Sequence, residues 1–300
     1  MRLWIMSDLH LELTRGWDLP GRDDRPDFDV LVIAGDLVPR MERGVRWLLE
    51  RVPDKPVIYT AGNHEFYGTD VQRTMEKAKE AALGTNVYVL QDETLEIGDV
   101  TFAGATLWTD FAINGDAHRG MAVAGDRMND FKKIWTGRYV ERFRPPHALA
   151  SHRRSRAFLE TELRKDRPGP LVVVTHHAPV PEISDEPGGS GNDPTLDPAY
   201  RSDLTALMVP APDDGRGALR PSMRGEWGQN GRVVVRISVD IVVAVAKYGA
   251  AVRVDSRVHS SPLSSRCGAV CGPADGTTKT HSKINMLQRH WRRGGVSNPR

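Results

Sequence analysis

Cysteine is nearly absent, with only Cys267 and Cys271 in 300 residues. Two cysteines in a C-x3-C spacing, far from any other pair, exclude a disulfide framework and a cysteine-rich zinc knuckle, and a reducing cytoplasm is the expected compartment. Long apolar runs are lacking too. The longest, residues 233–246, is broken by Arg236 and Asp240 and is too short to span a bilayer, so no membrane partner is expected. The amino end reads as a core strand and not as an export signal, because the apolar stretch after Met1-Arg2 runs directly into Asp8 and His10. Charge of one sign is missing as well: 41 Lys and Arg stand against 39 Asp and Glu, a net of +2 that names no partner. With 39% hydrophobic and 27% charged residues the composition is that of an ordinary soluble globular protein, long enough for one large core or two modest ones.

Four apolar runs are present, and each ends in metal-competent side chains. Leu3-Trp4-Ile5-Met6 leads into Asp8-Leu9-His10, Val30-Leu31-Val32-Ile33 into Gly35-Asp36, Val57-Ile58-Tyr59-Thr60 into Gly62-Asn63-His64-Glu65, and Leu171-Val172-Val173-Val174 into His176-His177-Ala178-Pro179. Runs of this length followed at once by Gly or polar residues read as buried strands that deliver side chains into loops at their carboxyl ends. Core packing has no use for carboxylates and imidazoles at the same end of every strand. A shared metal site does.

Between these strands the pattern is helical. Val45, Leu48, Leu49 and Val52 recur at helical spacing over residues 41–52, and a second helix is expected over residues 69–83, stopped by Gly84. Residues 86–108 read as three short strands in a meander, with turns at Gln91-Asp92 and Gly98-Asp99. Residues 109–151, with Trp135, Tyr139, Phe143 and Pro145-Pro146, read as a partly helical cap over the site or as a packed surface excursion. A third helix is expected over residues 151–165, a mobile loop over residues 184–198, and a short helix from Asp197 through Leu207.

Taken together and in this order, D-x-H, G-D, G-N-H-E and H-H-x-P resemble the calcineurin-like metallophosphoesterase superfamily over about residues 1–208. The resemblance implies an α/β fold, a β-sandwich of mixed sheets flanked by helices, with an atypical C-terminal region. It also implies a phosphoesterase, a hydrolase of phosphatase type, that uses two divalent metal ions (Mn, Fe or Zn) and a hydroxide bridging them to hydrolyse a phosphate ester. Asp8 and His10 would bind one ion, Asn63 and His176 the other, and Asp36 would bridge them. His64 would serve catalysis without binding metal, a role suited to a group titrating near neutrality. His177 is the reserve for His176, because alternation along Val172 and Val174 keeps His176 on their strand face. His118, His147, His152 and His290 sit in no such block and read as satisfied or solvated histidines.

The family's last block, G-H-x-H, which supplies two further histidine ligands, is not found. After Met208 the chain runs Pro210-Ala211-Pro212-Asp213-Asp214-Gly215, and residues 209–300 hold 15 Lys and Arg against 6 Asp and Glu, where residues 1–208 hold 26 against 33. A composition jump at the point where a ligand block is due is what a shifted reading frame or foreign segment would produce. The expectation is therefore a phosphoesterase domain at residues 1–208 and a poorly ordered basic region at 209–300, leaving an unpaired sheet edge where the closing strand is due. Two other functions follow. A nuclease of the same superfamily would use the basic tail on phosphate backbones, although its Arg residues form no stripe or aromatic platform. A catalytically impaired binding protein would result if neither His259 nor His281 replaced the missing ligands.

Overall fold

The computed structural model describes residues 1–14, 16–181 and 193–208, together with the backbones of three strands between residues 232 and 253. One compact unit takes in Met1–Arg257. His259, His281, His290 and most of the basic region lie outside the described residues, as do residues 184–192 of the expected loop.

The first sheet is built from β1 (Arg2–Met6), β2 (Val30–Ala34), β3 (Val57–Thr60) and β4 (Val87–Val89), each parallel to the next. In the second sheet β5 (Glu93–Ile97) and β6 (Val100–Ala105) form an antiparallel hairpin. A separate two-stranded ribbon joins β7 (Trp135–Thr136) to β8 (Glu141–Arg142). Parallel to β6 runs β9 (Leu171–Thr175). Three later strands complete the sheets: β10 (Arg232–Ile237) pairs with β11 (Ile241–Lys247), β11 lies parallel to β9, and β12 (Ala250–Arg253) runs antiparallel to β1.

At the centre of each sheet both faces are covered, which is why β2 and β9 are continuous apolar runs and not alternating ones. Leu3, Ile5, Val32 and Ile58 meet Phe102, Val172 and Val174 between the sheets. Their neighbours Trp4, Met6, Leu31, Ile33 and Tyr59 point the other way, onto α1 (Met41–Arg51) and α2 (Val71–Ala82). The outer face of the second sheet, with Ala103, Leu171 and Val173, packs on Leu159 and on the segment that carries Leu204 and Met208. The result is the expected sandwich of mixed sheets flanked by helices.

Three sequence expectations are corrected. Residues 86–108 are not one meander, because β4 joins the parallel sheet through its pairing with β3 while β5 and β6 belong to the other sheet. The third helix, α5 (Pro145–Leu163), starts six residues before the expected Ser151. Pro145 and Pro146 occupy its first turn, where a missing N–H costs nothing and the fixed φ favours helix. Beyond Met208 the sheets do continue: β11 covers the edge of β9 and β12 that of β1, so the expected unpaired edge is filled. Val233-Val234-Val235 and Ile241-Val242-Val243 carried that strand signal.

The cap contains α3 (Ala117–Arg127) and α4 (Asp130–Lys133), and its later half is stitched to the loop after β3. Gly68 N–H donates to Lys133 O (3.1 Å), Trp135 N–H to Thr69 O (2.9 Å) and Tyr139 N–H to Asp70 Oδ2 (3.1 Å). His152 is a satisfied core residue, donating from Nδ1 to Leu107 O at 3.1 Å. After Pro194–Ala199, a 3-10 turn, the described chain ends this region in α6 (Thr205–Met208).

Gly44 shows how closely α1 sits on β3. A Cβ there would stand 2.6 Å from the Tyr59 hydroxyl and 2.9 Å from its ring, and that hydroxyl is bonded to the buried Glu65. Gly44→Ala should therefore destabilise the protein by about 1–3 kcal/mol through overpacking. Its gain in helix propensity, about 1 kcal/mol, is the smaller effect. Urea unfolding measures the difference, and a more stable variant would show that the helix can move off the sheet.

Candidate metal centre

The loops after β1 and β2 continue the pairing of their strands beyond the sheet. Asp8 N–H donates to Gly35 O (3.1 Å), His10 N–H to Asp36 O (2.9 Å) and Leu11 N–H to Leu37 O (2.9 Å). To turn their side chains towards one another, Asp8, His10 and Asp36 adopt φ of 55°, 46° and 56°. Such left-handed residues are uncommon outside glycine, and a cluster of them is the kind of strain that accompanies a functional site.

The glycines of the G-D and G-N-H-E blocks permit the close approach of these loops. Gly35 has φ 86°, and a Cβ on it would stand 2.5 Å from His176 Nδ1 and 2.6 Å from Gly62 N. A Cβ on Gly62 would collide with the Asp36 carboxylate. Glu65 then ties the loops together from below. Its fully buried carboxylate accepts from the N–H groups of Asp36 (2.9 Å), Leu37 (2.7 Å) and Gly62 (2.7 Å) and from the Tyr59 hydroxyl (2.8 Å). Burial and the Asp36 charge raise the pKa of Glu65, against the pull of these donors.

The side chains above this clamp converge. Asp36 Oδ2 is 3.8 Å from His10 Nε2 and 3.5 Å from His176 Nε2, and His10 Nε2 is 3.9 Å from Asp8 Oδ1. These separations are too long for hydrogen bonds but suit donors that share one cation at about 2.0–2.2 Å. Ligand atoms of Asp8, His10 and Asp36 lie within 4.8 Å of one another, as do those of His10, Glu12 and His64. On the far side of Asp36, His176 Nε2 lies 3.0 Å from Asn63 Oδ1, while its Nδ1 donates to Ala34 O at 3.0 Å. Carboxylates, imidazoles and one neutral amide oxygen form a donor set suited to Mn, Fe or Zn. The residues present therefore fit divalent ions.

The electrostatics follow from the crowding of acids and histidines. Burial opposes the Asp36 charge, but His176, His64 and His10 outweigh it and hold its carboxyl below the usual range. Burial likewise opposes charge on His176, and the Asp36 and Asp8 carboxylates outweigh it and raise its pKa. Burial also disfavours charge at Glu12, yet the nearby His10 ring and the hydrogen bond with His64 bring its carboxyl down to about 2.

The strand alternation expected for β9 separates the two histidines. His176 follows Val172 and Val174 towards the first sheet, whereas His177 packs on the Trp108 ring (5.1 Å between centroids) with Nδ1 bonded to Thr106 O at 3.2 Å. Burial, with His176 beside it, pushes His177 down to about 3, so it is a neutral core residue. His64 stands apart from the Asn63 and His176 pair. Its N–H donates to Asp36 Oδ1 (2.9 Å), its Nδ1 meets Glu12 Oε1 (2.8 Å), and its ring lies against Tyr67 (4.2 Å) and His10 (4.3 Å).

Four further residues take part that sequence reasoning did not assign. Glu65 ends the G-N-H-E block, but its partners on the loop after β2 are 27 to 29 residues away. Glu12 is two residues beyond His10, a spacing that signals the pairing only once the loop's left-handed turns are known. Tyr67 and Asp130 carried no signal, because their meeting depends on how the cap folds back. Asp130 Oδ1 accepts from Asn63 Nδ2 (2.8 Å) and from the Tyr67 hydroxyl (2.7 Å).

Comparison with known proteins agrees with this arrangement. A relative in Acanthamoeba polyphaga mimivirus, itself an uncharacterized protein, is 25% identical over 224 residues, which cover 67% of this chain and 75% of the viral one. The sequence model of the calcineurin-like phosphoesterase family matches residues 1–205, the span that carries all four strand-end blocks. With that match extending over more than half its length, and with the blocks converging on one centre, this chain belongs to the calcineurin-like phosphoesterase family.

Proposed function

We propose that the chain hydrolyses a phosphate ester at this centre, with Asp8 and His10 holding one divalent ion, Asn63 and His176 a second, and Asp36 shared between them. The observation that carries the reading is the position of Asp36 Oδ2, between His10 Nε2 at 3.8 Å and His176 Nε2 at 3.5 Å. Ions bound there supply a water acidic enough to ionise near neutral pH and positive charge for an in-line displacement. The chain's own residues do the rest. Glu65 keeps Asp36 and the Gly62 backbone in register, so the carboxylate needs no rearrangement when the phosphate arrives.

His64 is the group left free to act on the substrate. Glu12 fixes one ring nitrogen and Tyr67 one ring face, leaving Nε2 to give a hydrogen bond or a proton to the leaving oxygen. The same Glu12 contact, helped by the Asp36 charge, raises the His64 pKa against the effect of burial, which favours the protonated form that this role needs. The cap supplies selectivity among esters, a reading supported by its hydrogen bonds to residues 68–70, shortly after the G-N-H-E block.

A second reading rests on the missing G-H-x-H. Without two further imidazoles each ion depends on water to complete its coordination, and the chain would be a metal-poor, weakly active member of its family. Dialysis against metal-free buffer followed by metal analysis separates the two, since only a complete site keeps two ions and ordinary turnover.

Two substitutions test the assigned roles, read by hydrolysis of an aryl phosphate in Mn²⁺ together with metal content. Asp36→Asn should abolish both activity and bound metal, because it removes the shared ligand; full turnover with stoichiometric metal would refute the assignment. His64→Ala should leave metal content close to the parent's while lowering kcat by roughly 10²- to 10⁴-fold, the usual worth of a positioned acid or base. Parallel loss of metal and rate would instead make His64 a ligand, in the grouping it forms with His10 and Glu12.

A further inference from the structure

Asp130 belongs to none of the four strand-end blocks. It opens α4 in the cap, 67 residues after Asn63, and is 2% exposed. The amide of Asn63 has two ends that differ in chemistry. Its Oδ1 faces His176 Nε2 at 3.0 Å, and its Nδ2 donates to Asp130 Oδ1 at 2.8 Å. The longer contact of Nδ2 with the Tyr67 hydroxyl, 3.4 Å, adds little, because that hydroxyl itself donates to Asp130 at 2.7 Å.

Turning the amide over would aim Oδ1 at a carboxyl oxygen that already serves as an acceptor, and would aim the amide N–H groups into the cation site. Asn63 and Asp130 are both buried, so water cannot replace the lost bond, and a buried polar group without a partner costs its desolvation. Both donors end on the same oxygen, Oδ1, and their bonds persist whichever charge the carboxyl carries. Backbone bonds fix the helix itself: Gly68 N–H to Lys133 O and Trp135 N–H to Thr69 O hold α4 against the loop that follows Asn63.

We infer that Asp130 is a positioning residue for the metal centre, which by accepting from Asn63 Nδ2 locks the amide with Oδ1 towards His176 and Asp36. The inference rests on the phosphoesterase reading of the site. It makes the cap part of the metal site's support as well as its cover, so changes in the cap reach the ion next to Asn63 through one hydrogen bond.

The test is Mn²⁺ binding by equilibrium dialysis on the full chain, with folding checked by circular dichroism. Asp130→Leu removes the acceptor and should weaken one of two ions by about 10- to 100-fold, the usual cost of losing such a partner. Asp130→Asn keeps an acceptor oxygen and should hold binding close to the parent's. In an Asn63→Asp background, where both ligand ends are oxygen, Asp130→Leu should no longer weaken binding, since there is no amide to orient. If Asp130→Leu does not fold, Asp130→Ala is read in the same way. Parent affinities in a folded acceptor-free variant, or an equal loss in the Asn63→Asp background, would overturn the inference while leaving the phosphoesterase reading intact. A parent chain that binds no Mn²⁺ would overturn both.

Discussion

A single buried carboxylate makes the rest of the centre possible. Glu65 accepts from four backbone N–H groups on the loops after β2 and β3, that of Val38 the longest at 3.4 Å, and from the Tyr59 hydroxyl, with no exposure to solvent. These are donors that neither strand pairing nor water satisfies, and leaving them bare would cost about 1–3 kcal/mol each. The clamp fixes Asp36 next to Gly62, where even one methyl group would not fit. Everything above it inherits that precision: the Asp36 carboxylate is where the Asp8 and His10 side and the Asn63 and His176 side meet.

The second constraint is charge. Asp8, Glu12, Asp36, Glu65 and Asp130 crowd one end of a sandwich, and several of them are buried. Carboxylates packed in this way repel one another and lose hydration, so the arrangement needs positive charge. In the protein alone the histidines provide part of it, which is why Asp36 is held low while His64 and His176 are raised. Divalent cations would provide it more fully and would displace the proton from His176, leaving that of His64. The same logic explains why a neutral side chain, Asn63, suits the position bonded to Asp130: another carboxylate there would add to the repulsion.

How much of this could be read in the sequence depended on whether the cause was local. The parallel strands and their loaded carboxyl ends were legible because buried runs such as Val30-Leu31-Val32-Ile33 stop abruptly at Gly35-Asp36. The opposite facing of His176 and His177 was legible from a period of two along β9, and the structure brings His176, not His177, to Asn63. Glu12 and Asp130 were not legible, since their contacts arise from left-handed turns and from a cap folding back across 67 residues. The start of α5 was not legible because Pro145-Pro146, which open the helix, fall within the cap segment expected over residues 109–151. The strands after residue 231 were not legible because no ligand block marks their ends and their pairing with β9 and β1 is long-range.

The central claim is that four strand ends build one centre for two ions, shared through Asp36. Crystals grown with Mn²⁺ and measured at the manganese absorption edge test it directly. Two anomalous peaks flanking the Asp36 carboxylate, one beside Asp8 and His10 and the other beside Asn63 and His176, are the predicted result. A single peak seated on His10, Glu12 and His64, or none within reach of Asp36, would contradict it.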